Sequence, residues 1–202
     1  GDQFDASMNY LISAASLSFF GGPRLNMKVV KQAGEMGQRV RPDMSAHDFA
    51  DEMDRLLGLY KPEITRSQLN LLDSHDMPRF LSCVGGDQDS LKLAWLLIMA
   101  LPGAPCIYYG DEIGVDGEHD PDCRKPFPWD ESKWDRGLLD YLKAAISLRK
   151  SHPSLRRGTF ARLWAADGVY AFGRALEGES LVVALNASEE PRQVEVQYEA
   201  RK

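Results

Sequence analysis

Residues 69–110 of the 202-residue chain read LNLLDSHDMPRFLSCVGGDQDSLKLAWLLIMALPGAPCIYYG, and the apolar runs in this stretch predict one fold class. Residues 69–73 and 106–109 are short apolar runs that end in polar residues, which is typical of buried strands. Residues 89–100 are apolar around almost the whole circumference of a helix, so this helix is predicted to be buried. A strand, a helix and a strand within about 40 residues match a right-handed βαβ unit, in which the two strands are parallel.

The chain upstream of this unit contains three further patterns. Residues 4–10 alternate between apolar and polar side chains, which predicts a strand, and residues 11–20 predict a helix. Residues 21–44 carry glycines, prolines and charges without a sustained period, so they are expected to form a long, lid-like loop. Residues 45–59 form the clearest amphipathic helix, with a capping-box pattern that begins at Ser45.

The chain downstream of residue 110 changes character near Pro153. A polar, proline-rich loop is followed by a surface helix that is predicted to end near residue 150. Beyond Pro153 come short β-like runs separated by Asp-Gly, Glu-Gly and polar stretches, which predict antiparallel hairpins. These runs cover residues 159–163, 169–174, 181–185 and 194–198. The sequence therefore predicts an α/β part over residues 1–152 and an antiparallel β domain over residues 153–202.

Composition excludes several classes of protein. The chain is 44% hydrophobic and 27% charged, which are globular values that exclude disorder, collagen and coiled coil. No apolar run approaches the ~20 residues that span a bilayer, so no membrane partner is expected. The net charge is −6 and the basic residues are scattered, so no nucleic-acid partner is expected. Three cysteines without a C-x-x-C motif favour a reducing compartment, and the expected location is the cytoplasm.

Polar side chains follow both strands of the βαβ unit. Asp73, His75 and Asp76 follow the first strand, and Asp111 and Glu112 follow the second. In parallel α/β folds, ligands bind at this carboxyl end of the strands. The next loop adds more polar and aromatic groups, namely Asp116, Glu118, His119, Asp120, Asp122, Arg124, Phe127 and Trp129, after Tyr108 and Tyr109. Carboxylates and an arginine interleaved with aromatic rings are typical of a site for a neutral, polyhydroxylated ligand.

Each of these residues also fits a structural role. Asp76 fits a turn or a helix cap, which is the usual place for an aspartate after a strand. His75 fits a structural histidine, Asp111 and Glu112 fit a solvated loop pair, and Trp129 fits a packing residue. The sequence contains no G-x-S-x-G, G-x-G-x-x-G or P-loop motif. Spacing alone therefore leaves the carbohydrate-binding and the structural interpretations both open.

Four segments of the chain closely resemble the α-amylase superfamily (glycoside hydrolase family 13). They are FDASMNY (residues 4–10), LLDSHD (71–76), PGAPCIYYGDE (102–112) and DPDCRKPFPW (120–129). The resemblance is to the cyclomaltodextrinase, neopullulanase and maltogenic amylase branch in particular. The segments occur in the order of that branch over residues 1 to about 150, and several motifs at compatible spacing are more specific than any single one.

This resemblance implies a (β/α)8 barrel that cleaves α-glucans with retention of configuration. Such enzymes use an Asp nucleophile and a Glu acid/base through a covalent glycosyl intermediate. Asp76 matches a third carboxylate, which binds the hydroxyls of the distorted sugar, and His75 matches a histidine that binds the same sugar. Asp120 and Arg124 match a pair that grips the next sugar toward the non-reducing end. No cofactor is implied. Calcium occurs in the family, but the sequence nominates no ligands for it.

The resemblance covers barrel strands six to eight, whereas the nucleophile and the acid/base follow strands four and five. A whole barrel takes ~250 residues, so the chain is expected to be a carboxyl-terminal fragment with a truncated β domain. It is expected to be inactive alone, with the amino-terminal half of the same polypeptide as its partner. Its open strand edges are expected to support a homo-oligomer. A non-catalytic α-glucan-binding module and a structural assembly element remain alternatives.

Overall fold

The structure, a computed structural model, describes residues 5–198, so Phe4 of the first predicted strand lies outside the described residues. It contains one parallel and one antiparallel sheet of three strands each. The strands are β1 (Met8–Asn9), β2 (Leu69–Asn70), β3 (Ala104–Pro105), β4 (Thr159–Ala166), β5 (Val169–Leu176) and β6 (Glu179–Asn186). The α-helices are α1 (Tyr10–Ser16), α2 (Met27–Val30), α3 (Gly34–Gln38), α4 (Ala46–Leu57), α5 (Pro62–Ser67), α6 (Phe80–Cys83), α7 (Gln88–Ala100), α8 (Arg136–Ser151) and α9 (Pro153–Arg157).

The first sheet confirms the predicted parallel arrangement. Its order is β1-β2-β3, and both neighbouring pairs are parallel. In the register of this sheet, Leu69 of β2 lies between Met8 of β1 and Ala104 of β3. Helix α7 connects β2 to β3, as the βαβ pattern requires.

The parallel strands are shorter than predicted. The strand predicted over residues 106–109 does not form, since β3 ends at Pro105. The last hydrogen bond between β2 and the β3 segment runs from the Cys106 amide to the Asn70 carbonyl at 2.8 Å. The strand predicted over residues 69–73 also stops early, at Asn70. Beyond it, the Leu71 carbonyl accepts from the Ser13 hydroxyl at 2.7 Å. The polar residues that follow both strands therefore lie on loops.

Helix α7 forms the centre of the core, as its apolar sequence predicts. Leu91, Trp95 and Ile98 are all buried. The helix begins at Asp87, whose carboxylate accepts from the Ser90 amide at 3.1 Å. Helix α8 packs along α7 and presents Leu138, Leu142 and Ala145 to the core.

Residues 21–44, which were expected to form a long, lid-like loop, contain a series of short helical segments. These segments are α2, α3 and the 3-10 turns Gly22–Arg24 and Lys31–Ala33. Val29, Val30 and Val40 are buried, and a buried backbone requires internal hydrogen bonds, which helical turns supply. The following helix, α4, begins with the predicted capping box between Ser45 and Asp48.

The second sheet confirms the predicted hairpins over its three strands. Strand β5 lies between β4 and β6, is antiparallel to both, and is buried along nearly its whole length. The turn between β4 and β5 places Asp167 and Gly168 at φ values of 52° and 76°. Positive φ at both turn residues is the geometry that two-residue hairpins favour, which explains the Asp-Gly sequence.

The fourth predicted β run, over residues 194–198, does not form a strand. Instead, the ring of Tyr198 covers Gly173 of β5, where an added Cβ atom would lie 2.4 Å from the ring. The absence of a side chain at Gly173 therefore allows the Tyr198 ring to pack on β5. The segment over residues 194–198 does not extend the sheet at its edge.

Two buried arginines, Arg149 of α8 and Arg174 of β5, join the two sheets to the end of α7. Arg149 was expected on a surface helix, but its guanidinium is buried and donates only to backbone carbonyls. The acceptors of Arg149 are the carbonyls of Met99, Leu101, Gly103 and Leu155, and those of Arg174 are the carbonyls of Ala100, Gly158 and Thr159. The last carbonyls of a helix lack intrahelical partners, and the two arginines supply hydrogen-bond donors to those at the end of α7.

Candidate functional site

The carboxyl ends of β1, β2 and β3 lie at one edge of the parallel sheet. Tyr10 follows β1, the segment from Asp73 to Asp76 follows β2, and the segment from Tyr108 to Asp111 follows β3. Because the three strands run in the same direction, these segments converge, although they lie far apart in the sequence. The candidate site is built where they meet.

Asp76 lies at the centre of this edge. Its Oδ2 accepts from the hydroxyl of Tyr10 at 3.3 Å, and its Oδ1 lies 3.2 Å from Nε2 of His75. The same Oδ1 lies 3.8 Å from Nη2 of Arg124. The side chain remains 57% exposed, so a ligand from solvent can reach its carboxylate.

Arg124 connects the predicted residues of the two loops. Its Nε lies 3.0 Å from Oδ1 of Asp120 and donates to the His75 carbonyl at 2.9 Å. The structure therefore brings together all four predicted site residues, His75, Asp76, Asp120 and Arg124, although nearly fifty positions separate Asp76 from Arg124 in the sequence. Their roles toward a sugar remain predictions.

Two further residues belong to this cluster, and the sequence did not nominate them as site residues. The Tyr10 hydroxyl lies 3.1 Å from Oγ of Ser74, which also accepts from the Asp76 amide at 3.1 Å. Burial, the largest cause, raises the pKa of Tyr10, and the Asp76 charge adds to it, so the phenol stays a donor at neutral pH. The available signal was the position of Tyr10 at the end of the first predicted strand, since parallel strands end at one edge.

The remaining predicted carboxylates of the loop serve its own structure. Glu112 accepts from the Gly110 amide at 2.8 Å, and Lys125 bridges Asp116 and Asp122 at 2.9 and 3.2 Å. Gln32 donates to Glu118 at 2.8 Å and accepts from the His119 amide at 3.0 Å. The side-chain contacts of Asp116, Glu118 and Asp122 therefore favour a structural role, whereas the contact of His119 is made by its backbone amide.

The aromatic residues divide into two groups. The guanidinium of Arg79 lies 3.9 Å from the ring centre of Tyr108 and 4.8 Å from that of Tyr109. Phe127 packs against Trp134, while Trp129 is 82% exposed. The two tyrosines thus cover a buried cation, whereas Trp129 lies mostly exposed at the surface with its ring centre 4.8 Å from that of Phe127.

A charged triad, Asp73, Arg79 and Asp111, lies buried directly behind the exposed cluster. Nη1 of Arg79 donates to Oδ1 of Asp111 at 3.0 Å and lies 3.9 Å from Oδ1 of Asp73. Burial raises the pKa of Asp73 to about 6, and burial together with the Asp73 charge raises that of Asp111 well above its usual value. Two buried carboxyls facing one guanidinium favour retention of a proton. Arg79 was not singled out from the sequence.

The triad predicts a fold that loses stability as the pH rises. A carboxyl whose pKa is raised in the folded state binds more protons there than in the unfolded chain. Its contribution to the free energy of unfolding is therefore complete below about pH 4 and is lost as the pH rises through the folded pKa. Because both carboxyls face the same guanidinium, the loss belongs to the pair and not to either residue alone. Urea unfolding at several pH values measures it.

The comparison variant for this prediction is Asp111→Asn, which keeps the shape of the side chain but cannot ionise. We expect the free energy of unfolding to fall more in wild type than in this variant as the pH rises. Asp43→Asn, an exposed change, is the matched control and should run parallel to wild type. Parallel curves for wild type and Asp111→Asn would contradict the prediction.

Within residues 5–198, no group of three or more His, Cys, Asp or Glu side chains is arranged to hold a metal ion. Over the same range, no helix combines the length and the apolar character needed to cross a membrane.

Comparison with known sequences identifies relatives of this chain. The family model described as "Alpha amylase, catalytic domain" matches residues 1–137. Cyclomaltodextrinase of Geobacillus thermopakistaniensis is 38% identical, over 100% of this chain and 31% of its own length. Neopullulanase 2 of Thermoactinomyces vulgaris is 40% identical, over 98% of this chain and 31% of its own length. The chain thus spans about a third of the length of the curated relatives it matches.

Comparison with solved structures identifies similar folds. The protein Ttha1563 of Thermus thermophilus superposes with a TM-score of 0.88 at 40% identity, over 95% of this chain and 39% of that one. The debranching enzyme of Nostoc punctiforme superposes with a TM-score of 0.83 at 38% identity, over 92% of this chain and 37% of that one. Both likenesses extend beyond the parallel sheet, since each covers more than nine tenths of the chain.

Proposed function

The chain belongs to the α-amylase family of glycosidases, and from this premise we propose that it supplies the sugar-binding half of an α-glucan hydrolase site. The observation that carries the proposal is the convergence of His75, Asp76, Asp120 and Arg124 at the carboxyl edge of the parallel sheet. We call these four side chains the sugar clamp. The relatives named cyclomaltodextrinase and neopullulanase favour maltodextrins or cyclodextrins as substrates of the whole protein.

Each member of the sugar clamp has a proposed role. Asp76 accepts hydrogen bonds from hydroxyls of the reacting sugar, and these bonds tighten as the ring flattens toward the oxocarbenium-like state. His75, 3.2 Å away, binds the same sugar. Asp120 and Arg124, paired at 3.0 Å, bind the next sugar through one acceptor and one fork of donors. Asp76 therefore stabilises the transition state, and the other three position the substrate.

The proposed architecture follows from the family. We assign residues 1–152 to barrel strands six to eight with their helices, and residues 153–202 to the carboxyl-terminal β domain. The helical segment over residues 21–44 is proposed to act as a lid, since Gln32 contacts the loop that carries Asp120. The nucleophile and the acid/base are proposed to come from the preceding part of the same polypeptide.

We expect no hydrolysis of maltodextrin or cyclodextrin by this chain alone, because its clamp supplies neither the nucleophile nor the acid/base. Mixing it with the part of the Geobacillus cyclomaltodextrinase that precedes the matched region should restore turnover. Reducing-sugar release from each half and from the mixture measures this. Hydrolysis by the chain alone, above a blank free of host amylase, would contradict it. Saturable maltotriose binding without restored turnover would favour the alternative of a non-catalytic binding module.

The isolated chain is also expected to self-associate. Among residues 5–198, no strand pairs with the outer edge of β1 or β3. Met8 and Leu69, neighbours in the register, are 36% and 40% exposed. Open edges and apolar rows favour pairing with another chain. Light scattering over a concentration series should show a mass that rises with concentration and falls when the amino-terminal part of the relative is added. A constant monomer mass would overturn this expectation.

The proposed location is a reducing compartment, the cytoplasm. Cys83, Cys106 and Cys123 are all free, and Cys83 and Cys123 are buried. One relative, 34% identical over 77% of this chain, carries the name intracellular maltogenic amylase of Bacillus subtilis. Free thiols persist where disulfides do not form, which supports the proposal.

A further inference from the structure

The sugar clamp is carried by two separate loops. The first loop, residues 73–80, holds His75 and Asp76, and the second loop, residues 111–125, holds Asp120 and Arg124. The loops meet in an exposed hydrogen bond from Nε of Arg124 to the His75 carbonyl at 2.9 Å. The direct ion pair between them, from Asp76 to Arg124, is 3.8 Å long and about half exposed. Exposed ion pairs of this kind hold geometry weakly. The separation of the two halves of the clamp therefore needs another support.

Arg79 provides contacts at three points of the second loop. Its backbone amide donates to the Gly117 carbonyl at 2.8 Å, and its Nε donates to the Cys123 carbonyl at 3.0 Å. Its Nη1 donates to Asp111 at 3.0 Å. The side chain is fully buried, so water does not compete for these bonds. One residue of the first loop thus binds the start, the middle and the end of the second.

The orientation of Arg79 is itself fixed from both sides. Asp73 accepts from the Phe80 amide at 2.6 Å, which closes the first loop around the guanidinium. The ring of Tyr108 lies 3.9 Å from the guanidinium carbon and covers its face. A planar fork that is stacked and hydrogen-bonded at fixed angles is a geometry that lysine does not reproduce.

We propose that Arg79 is the positioning residue that couples the two loops and sets the separation between Asp76 and Arg124. Arg79 does not touch the sugar and acts only through the clamp. The inference rests on the proposed function, because the separation matters for catalysis only where the clamp binds an α-glucan. The coupling itself is a property of the free chain and is measured without sugar.

The test of the coupling is amide hydrogen exchange in the 202-residue chain carrying Arg79→Lys. The change keeps the charge and removes the fork. We expect exchange to become about 10–100-fold faster at Asp76 and Gly117, one in each loop, since losing a charge-assisted hydrogen bond changes a local opening equilibrium by about this factor. Amides in the middle of α7 and β5 should keep their wild-type rates. Acceleration in one loop only, or an equal acceleration over the whole chain, would overturn the proposal.

The matched control is Arg55→Lys, which removes a similar fork from an exposed arginine that binds Glu52 at 2.7 and 2.8 Å. It should leave both loops unchanged. If Arg79→Lys does not fold, Tyr108→Leu replaces it, because this change removes the stacked ring and keeps the hydrogen bonds. Faster exchange in both loops again supports the coupling, and a change confined to residues 106–111 overturns it.

A titration with maltotriose separates the inference from the proposed function. We expect the affinity to fall about 10–100-fold in Arg79→Lys and to stay unchanged in Arg55→Lys. Wild-type affinity in Arg79→Lys would overturn the positioning role alone. A wild-type chain that does not bind maltotriose would count against the proposed function, while the exchange rates would still decide whether Arg79 couples the loops.

Discussion

Asp76→Asn is expected to lower the turnover of α-glucan about 10²–10³-fold in a polypeptide that joins this chain to the preceding part of a relative. The loss corresponds to about 3–4 kcal/mol of transition-state stabilisation, the usual cost of removing one preorganised polar contact. Tyr10 and His75 orient the Asp76 carboxylate. The asparagine side chain keeps the shape of this carboxylate and loses its charge. The contact tightens as the sugar ring flattens, so kcat should fall more than KM rises.

The assay is steady-state hydrolysis of maltodextrin by this fusion protein, with circular dichroism as the measure of folding. Asp116→Asn is the matched control, because Asp116 is an exposed carboxylate of the second loop, where it pairs with Lys125. It should change kcat by no more than about twofold, in keeping with exposed substitutions elsewhere. An Asp76→Asn enzyme with the kcat of the wild type would remove Asp76 from the proposed site.

The part of the site that the sequence predicted is the part that local chemistry determines. The run of apolar residues in α7 and the Asp-Gly turn each allow few structures, so the parallel strands and the hairpins were predictable. The clamp residues were predictable for a different reason, since the DPDCR and LLDSHD segments resemble a known family. Their convergence then followed from parallel strands that end at one edge.

The part that the sequence did not predict depends on long-range partners. Arg79 follows the LLDSHD motif, but its acceptors lie on a loop more than thirty positions away, and no local pattern marks them. The short helices over residues 21–44 escaped for the same reason. Their apolar residues are too few to show a period, and only their burial against the core makes helical turns necessary.

Arg174 is an extreme case of such a residue, since its sequence context is an ordinary strand. It is fully buried, and burial lowers its pKa to about 10, which leaves it charged at neutral pH. Its guanidinium donates to three backbone carbonyls. They belong to Ala100 at the end of α7, to Gly158 in the turn before β4, and to Thr159 at the start of β4. Arg174 therefore joins the β domain to the end of the central helix by hydrogen bonds from one side chain.

Arg174→Met is expected to lower the free energy of unfolding by about 3–5 kcal/mol, because it leaves three carbonyls without their charged donor. Relief from holding a buried cation offsets part of the loss, but methionine donates no hydrogen bond. In a chain of this size the change corresponds to a fall in Tm of about 6–20 °C, given about 2–4 °C for each kcal/mol. Urea and thermal unfolding of the isolated chain measure both quantities.

The matched control for Arg174→Met is Arg157→Met, an exposed arginine of α9, which should cost less than about 0.5 kcal/mol. A double-mutant cycle with Arg149→Met tests the physical reason. Arg149 binds the carbonyls of Met99 and Leu101, on either side of the Ala100 carbonyl that Arg174 binds. Once either cation is lost, the end of α7 loosens, so the second change should cost less than it does alone. Strict additivity, or a loss below about 1 kcal/mol for Arg174→Met, would show that the two arginines do not hold the helix end together.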